Sequence, residues 1–340
     1  MPGPDRTTVS RTAVLAAVVA SLIACSQPGE EAPLSGGTPA VPAGLSGRLV
    51  FTRDAGLWML DLATGQAAEI VRAPDLGQVI SGRWSGDGSR VVWSSFEVRD
   101  RRIPVSRIAI TPMDGSPTQE VVGSEQAGEF FQAPVWGPDD QSLYVLHTAQ
   151  SASLRIQQIE RIDLGTGDRT PVVNEAGQFD VSADGRLLAI VRSSSISQSI
   201  VIYDLKSGET HEVIRERQFD VIAYPRFDRD SANVVFSGAQ AAGVSGGRPA
   251  NAVGLLASTF LTPVAEAHGL PQDIWSVPTG GGPVKRLTSI AADEPAASWS
   301  PDQSRLAILA IEALWVVPST GGAPTVLLSP GYSGTVDWTR

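Results

Sequence analysis

The chain has 340 residues, of which 42% are apolar, with 34 Gly, 24 Pro and a formal net charge of -10. That acidity, with no run of Lys and Arg anywhere, excludes a nucleic-acid partner, which needs a strong local basic patch. The single cysteine, Cys25, excludes an internal disulfide.

Arg6 and Arg11 precede a mostly apolar run, Ala13 to Ala24, too short to span a bilayer and of the right length for a signal-peptide core. The run ends Leu22-Ile23-Ala24-Cys25, which resembles the bacterial lipobox. The resemblance implies that residues 1–24 are a lipoprotein signal peptide, removed before Cys25, and that Cys25 is lipidated and N-acylated. Several acyl chains on one residue hold a protein at a membrane, where a single chain does not. Residues 26–46 are rich in Gly, Pro, Ala and Glu and lack hydrophobic periodicity, so residues 25–46 are expected to be the lipidated Cys and a flexible tether.

From Gly47 onward a pattern recurs: an apolar strand, a tight polar turn built on Asp, and a second apolar strand. The copies read Arg83-Trp84-Ser85-Gly86-Asp87-Gly88, Val135-Trp136-Gly137-Pro138-Asp139-Asp140, Asp180-Val181-Ser182-Ala183-Asp184-Gly185, Arg226-Phe227-Asp228-Arg229-Asp230-Ser231 and Ser298-Trp299-Ser300-Pro301-Asp302-Gln303, with a truncated Asp337-Trp338-Thr339-Arg340. A third strand, a Gly turn such as Gly65, Gly167 or Gly208, and a short fourth strand complete each unit. Asp87, Asp139, Asp184, Asp230 and Asp302 follow one another at 52, 45, 46 and 72 residues. About 45 residues for four strands is a propeller blade, and the long interval is a blade with an insertion at about 239–271.

The first unit starts at its second strand, and the chain stops after an inner strand, Thr335 to Arg340. Together they make one blade and remove the open edge that a linear array would leave. The expected fold is therefore all-β: a six-bladed β-propeller of four-stranded antiparallel blades over 47–340. The Trp-Ser-Pro-Asp-Gly-like turn followed by strand, strand and Gly turn resembles the TolB-type β-propeller repeat. The resemblance covers about residues 47–340 and is specific for fold rather than for activity. The Tol-system member of that family carries an α/β domain ahead of its propeller and is similar to a soluble periplasmic protein docking on a peptidoglycan-associated lipoprotein. Here only the tether separates Cys25 from the first strand.

The turn Asps invite a metal or catalytic reading, but Asp in such turns accepts hydrogen bonds from nearby backbone N–H groups, so they are expected to be structural pins. In ring order the residue before the inner-strand aromatic is Asp337, Arg83, Val135, Asp180, Arg226 and Ser298. Because a semi-buried charge is costly unless paired, Asp337 is expected to pair with Arg83 and Asp180 with Arg226, between neighbouring blades. A polar channel binding an ion or small solute is the other reading of the same column. His147, His211 and His268 are too scattered for a metal spacing. Gly243-Val244-Ser245-Gly246-Gly247 matches G-x-S-x-G but lacks the strand-to-helix context of a nucleophile elbow. No catalytic, metal or cofactor site is expected.

The turns after first and third strands share one face and are uniformly tight. The loops after second and fourth strands share the other face and vary: Glu97–Pro104, Thr148–Ser153, Glu125–Phe131 and the insertion, which holds the apolar stretch Val253–Leu261 and then His268. Phe130 and Phe131 are expected at the surface of this face, beside Arg101 and Arg102. Elongated loops on one rim of a rigid scaffold are where binding resides, although Val253–Leu261 could equally plug the channel mouth. The expectation is a lipid-anchored, extracytoplasmic, monomeric propeller of the bacterial cell envelope that binds an envelope protein or polymer without catalysis. The alternatives are a metal-dependent lactonase or lyase acting in the channel, and a small-molecule or glycan sensor using Phe130, Phe131, Arg99, Arg101 and Arg102.

Overall fold

Runs such as Leu49-Val50-Phe51 and Val234-Val235-Phe236 break the apolar–polar alternation of a half-exposed strand, and all six side chains are fully buried. A strand apolar on both faces is packed on both sides, here between two neighbouring sheets. The computed structural model describes residues 39–99, 103–124, 126, 128–150, 155–194, 197–240 and 270–340, and these form strands and turns without a helix. The expected signal peptide (1–24), Cys25, most of the tether, Arg101, Arg102, residues 241–269 of the insertion and His268 lie outside the described residues.

Strands β1 (Arg48–Arg53), β2 (Gly56–Asp61) and β3 (Ala67–Val71) belong to the first blade. The second blade is β4 (Gly77–Trp84), β5 (Arg90–Arg99), β6 (Ile103–Pro112) and β7 (Gln119–Gly123), and the third is β8 (Glu129–Trp136), β9 (Ser142–Gln150), β10 (Arg155–Asp163) and β11 (Arg169–Asn174). The fourth is β12 (Phe179–Val181), β13 (Leu187–Ser193), β14 (Gln198–Asp204) and β15 (Thr210–Ile214). The fifth is β16 (Phe219–Phe227), β17 (Asn233–Gln240), β18 (Asp273–Pro278) and β19 (Lys285–Arg286). The sixth is β20 (Ala296–Trp299), β21 (Arg305–Leu309), β22 (Leu314–Pro318) and β23 (Thr325–Leu328), after which β24 (Val336–Thr339) joins the first blade. The result is a ring of six four-stranded antiparallel blades, a six-bladed β-propeller.

Closure is set by register: β24 pairs antiparallel with β1 so that Leu49 faces Trp338 and Phe51 faces Val336. Gly47 makes the approach possible, because at φ +92° a Cβ there would stand 2.1 Å from the Thr339 carbonyl oxygen. Residues 39–46, expected as tether, lie along this seam. Ala40 N–H donates to Leu327 O at 2.9 Å, Trp338 Nε1 donates to Ser46 O at 3.0 Å, and Leu45 is buried. The core is divided among the seams. At the closing seam Leu49, Phe51 and Leu60 pack on Ala307, Leu309 and Val316, and between the fourth and fifth blades Ala189 and Ile200 pack with Phe219 and Phe236.

On the uniform face the turns are pinned from within. Asp87 accepts hydrogen bonds from Ser85 Oγ at 2.6 Å and Ser89 N–H at 2.9 Å, while Arg90 N–H donates to Ser85 Oγ at 3.0 Å. Asp184 and Asp302 repeat the arrangement with Ser182 and Ser300. In the fifth blade the pin is Asp228 rather than the expected Asp230, since Asp228 accepts from Ala232 N–H at 2.7 Å and from Asn233. Two arginines then clamp neighbouring blades on this face. Arg48 lies over the Trp84 ring and donates to Gly88 O, and Arg90 lies over Trp136 and donates to Asp140 O.

Several expected loops are strand. β5 and β6 pair as far as Arg99 with Ile103, and β9 and β10 as far as Gln150 with Arg155, so these two hairpins extend beyond the ring. Phe96 and Val98 share one face of the extended hairpin, and Phe96 meets Phe130 edge-on at 5.4 Å.

Candidate functional site at the channel and its rim

Each inner strand places one residue, just before the aromatic of the repeat (Val181 in the fourth blade), at the same depth in the ring. Four of those six residues are charged, and all four converge. The pairing differs from the neighbouring-blade scheme expected from sequence: Arg83 of the second blade pairs with Asp180 of the fourth, and Arg226 of the fifth pairs with Asp337 of the first. The skipped positions carry Val135 and Ser298, short enough for a guanidinium to reach past them. Neighbouring blades are instead joined through the backbone. Trp84 N–H donates to Asp337 Oδ2 and Phe227 N–H to Asp180 Oδ2, each at 2.8 Å. Ser298 Oγ adds a bond of 2.9 Å to Asp337 Oδ1.

The four side chains are 6–17% exposed, so their charges must compensate one another. Burial and then the nearby Arg226 cation press Arg83 below the usual arginine range, against the pull of Asp180 and Asp337. Burial acts on Arg226 in the same sense, but the Asp337 and Asp180 carboxylates outweigh it and raise its pKa. The network links inner strands of the first, second, fourth and fifth blades and leaves both carboxylates occupied.

Nearer the variable face, β16 bulges between Ala223 and Arg226, and Tyr224 takes a positive φ of 50°. Its N–H donates to Gln178 Oε1 of the fourth blade at 2.6 Å. Burial, then the charges of Glu294 and Asp293, push the Tyr224 phenol well above its ordinary range. Of the other expected rim residues, Phe130 is half-buried against Phe96 and Phe131 is fully buried, because both belong to inner strand β8 rather than to a loop. In β8, Phe131 stands opposite His147 of β9, which turns its ring into the blade. The expected Arg101, Arg102, His268 and the Gly243–Gly247 motif lie outside the described residues.

Sequence reasoning missed one cluster, because its members are far apart in the chain and meet only through strand register. His147 lies with Nδ1 2.7 Å from Glu160 Oε1 and Nε2 3.1 Å from Glu129 Oε1. Arg169 Nε donates to Glu160 Oε2 at 2.8 Å and Gln158 Nε2 to Glu160 Oε1 at 2.6 Å. The Phe131 ring stacks on His147 at 4.3 Å, and the Arg169 guanidinium lies 4.5 Å over Phe131. Burial pushes Glu160 up, but the hydrogen bonds from His147, Arg169 and Gln158 together outweigh it and hold Glu160 down at about 2. Among the described residues no three His, Cys, Asp or Glu side chains are placed to hold a metal ion.

No protein-family model matches the chain, and no curated protein matches it in sequence. Solved structures do match. TolB from Acinetobacter baumannii aligns over 98% of this chain and 74% of its own, at 18% identity and a TM-score of 0.61. A chain of a Nidogen/Laminin complex aligns over 86% of this chain and 98% of its own, at 9% identity and a TM-score of 0.59. An oligogalacturonate lyase in complex with manganese aligns over 84% and 75%, at 14% identity and a TM-score of 0.50. At such identities the likeness is one of architecture, and enzymes share it with non-enzymes. The chain has the fold of the TolB-type six-bladed β-propeller.

Proposed function

We propose that this chain is a binding module of the bacterial envelope, held at a membrane through a lipidated Cys25 and engaging an envelope protein or polymer through its variable-loop face. The observation that carries this reading is the saturation of the channel: Arg83, Asp180, Arg226 and Asp337 neutralise one another. The uniform face is likewise spent on pinned turns and clamps, so sequence freedom is confined to the opposite rim. Likeness to TolB and to a chain of a Nidogen/Laminin complex supports a role in binding macromolecules. A lyase-type enzyme would draw on accessible carboxylates and imidazoles, whereas Glu160 is engaged by three donors and His147 by two carboxylates.

The test is replacement of residues 241–269 by a short Gly-Ser turn. β17 and β18 already pair up to Gly238 with Asp273, so the blade can close across the gap. Cross-linking pull-down from intact cells should show a folded variant that has lost partners of the parent protein. An unchanged partner set in a folded variant would remove the insertion from the interface. For the anchor, Cys25→Ser should move the protein out of the membrane fraction, and retention there would overturn lipidation as the tie.

A further inference from the structure

Among the described residues, Arg53, Arg107, Arg169 and Arg286 each lie over an aromatic ring of their own blade: Trp58, Trp93, Phe131 and Trp275. Stacking fixes the plane of a guanidinium and leaves its edge donors to be satisfied. Three of the four satisfy them on a carboxylate of this chain. Arg53 Nε reaches Asp54 at 3.1 Å, Arg169 Nε reaches Glu160 at 2.8 Å, and Arg286 Nη2 bonds Asp273. Arg107 is the exception. Its Nε is buried and meets no acceptor, and the Glu120 carboxylate stands 3.8 Å from Nη1, beyond hydrogen-bond reach.

Arg107 faces a cleft that it shares with Arg169. It lines this cleft of about 500 Å³ between the second and third blades together with Ser106, Ser124, Gln126, Glu120, Glu129 and Arg169, the last of which is already bonded to Glu160. Clefts of roughly 300–1,000 Å³ take small ligands. A planar guanidinium whose Nε is unmet and whose Nη1 has only a distant carboxylate is complementary to a ligand carboxylate. Glu120 and Glu129 on the same walls favour a cation and oppose a second negative charge.

We propose that this cleft binds a small zwitterion of the amino-acid or dipeptide class, with its carboxylate on the Arg107 fork and its ammonium group towards Glu120 and Glu129. The ligand carboxylate fills at Arg107 the place that Asp54, Glu160 and Asp273 fill at the other three arginines. The site is independent of the lipid anchor and of the insertion at about 239–271, and it borders the connection between β7 and β8.

Calorimetric titration of the purified protein tests it, with L-alanyl-L-alanine, its C-terminal amide, its N-acetyl form and inorganic phosphate as probes. The free dipeptide should bind at millimolar concentration or tighter, and each blocked form should bind at least about tenfold more weakly. Arg107→Gln should abolish binding, and Arg107→Lys should weaken it because the charge is kept while the fork is lost. Should Arg107→Gln fold poorly, Glu120→Gln reads the other end: it should weaken the free dipeptide and leave the N-acetyl form unchanged. Failure of the free dipeptide to bind, equal binding by a folded Arg107→Gln protein, or a preference for phosphate would overturn the proposal.

Discussion

Asp180 and Asp337 occupy equivalent positions three blades apart. Each gives Oδ2 to the backbone N–H of the following blade and Oδ1 to an arginine two blades away in the other direction. The six-fold ring therefore contains a two-fold device at its centre, with Val135 and Ser298 in the matching spacer positions. Removing one partner of a buried pair strands the other, at about 3–5 kcal/mol. Arg83→Met should lower stability by that order in urea denaturation through a stranded Asp180, and Arg226→Met should do so through Asp337. The double change Arg83→Met with Asp180→Leu should recover part of the loss, although Phe227 N–H then loses its acceptor. A double variant no more stable than the single one would show that the pairing is not what holds the channel.

Acid should act through the cluster of the third blade. Glu160 titrates at about 2 in the folded protein, against an ordinary value of 4.5, so the unfolded chain takes up its proton first. The stability this group contributes is full above about 4.5 and is lost as pH falls towards 2. Asp87 and Asp302, also held at about 2 by their turn serines, act in the same direction. Melting temperature followed from pH 7 downward should drop through this window. Glu160→Gln should begin less stable at pH 7 and show a shallower drop, converging on the parent in acid.

Adjacent phenylalanines should respond differently. Phe131 is fully buried between His147 and Arg169, and Phe131→Ala should cost about 3–5 kcal/mol. Phe130 is only half-buried against Phe96, and its truncation should cost clearly less in the same denaturation experiment. Equal losses would contradict the placement of these two side chains.

The closing seam offers a separate test. Leu45→Ala should destabilise the protein by about 2 kcal/mol or more, as expected for a buried leucine and not for one in a free tether. Gly47→Ala should be worse, since its Cβ has no room beside Thr339 and the shift it forces would unpair β1 from β24. Thermal denaturation of both variants checks this, and an unchanged midpoint for Leu45→Ala would detach residues 39–46 from the fold.

The ring was legible in the sequence because the repeat fixes blade length: turn and strand recur together, so the C-terminal strand could be assigned to the first blade from counting alone, as its pairing with β1 bears out. What counting could not supply was reach across the ring. The residues Asp337 and Arg83 are neighbours in that column, yet a long guanidinium beside a small Val135 passes its neighbour and finds Asp180. The His147 cluster was hidden for a related reason, since Glu129, His147, Glu160 and Arg169 come from four strands. Phe130 and Phe131 misled because loop and strand share the same composition at a blade's edge.

Pairing of β24 with β1 places residue 339 against residue 48. No blade-by-blade order of folding can finish the first blade until the final one has been made, so the seam stays open throughout synthesis. A chain halted even a few residues early would expose the edge of β1, and with it a template for joining another molecule. Such a ring can be completed only after its last strand has been made.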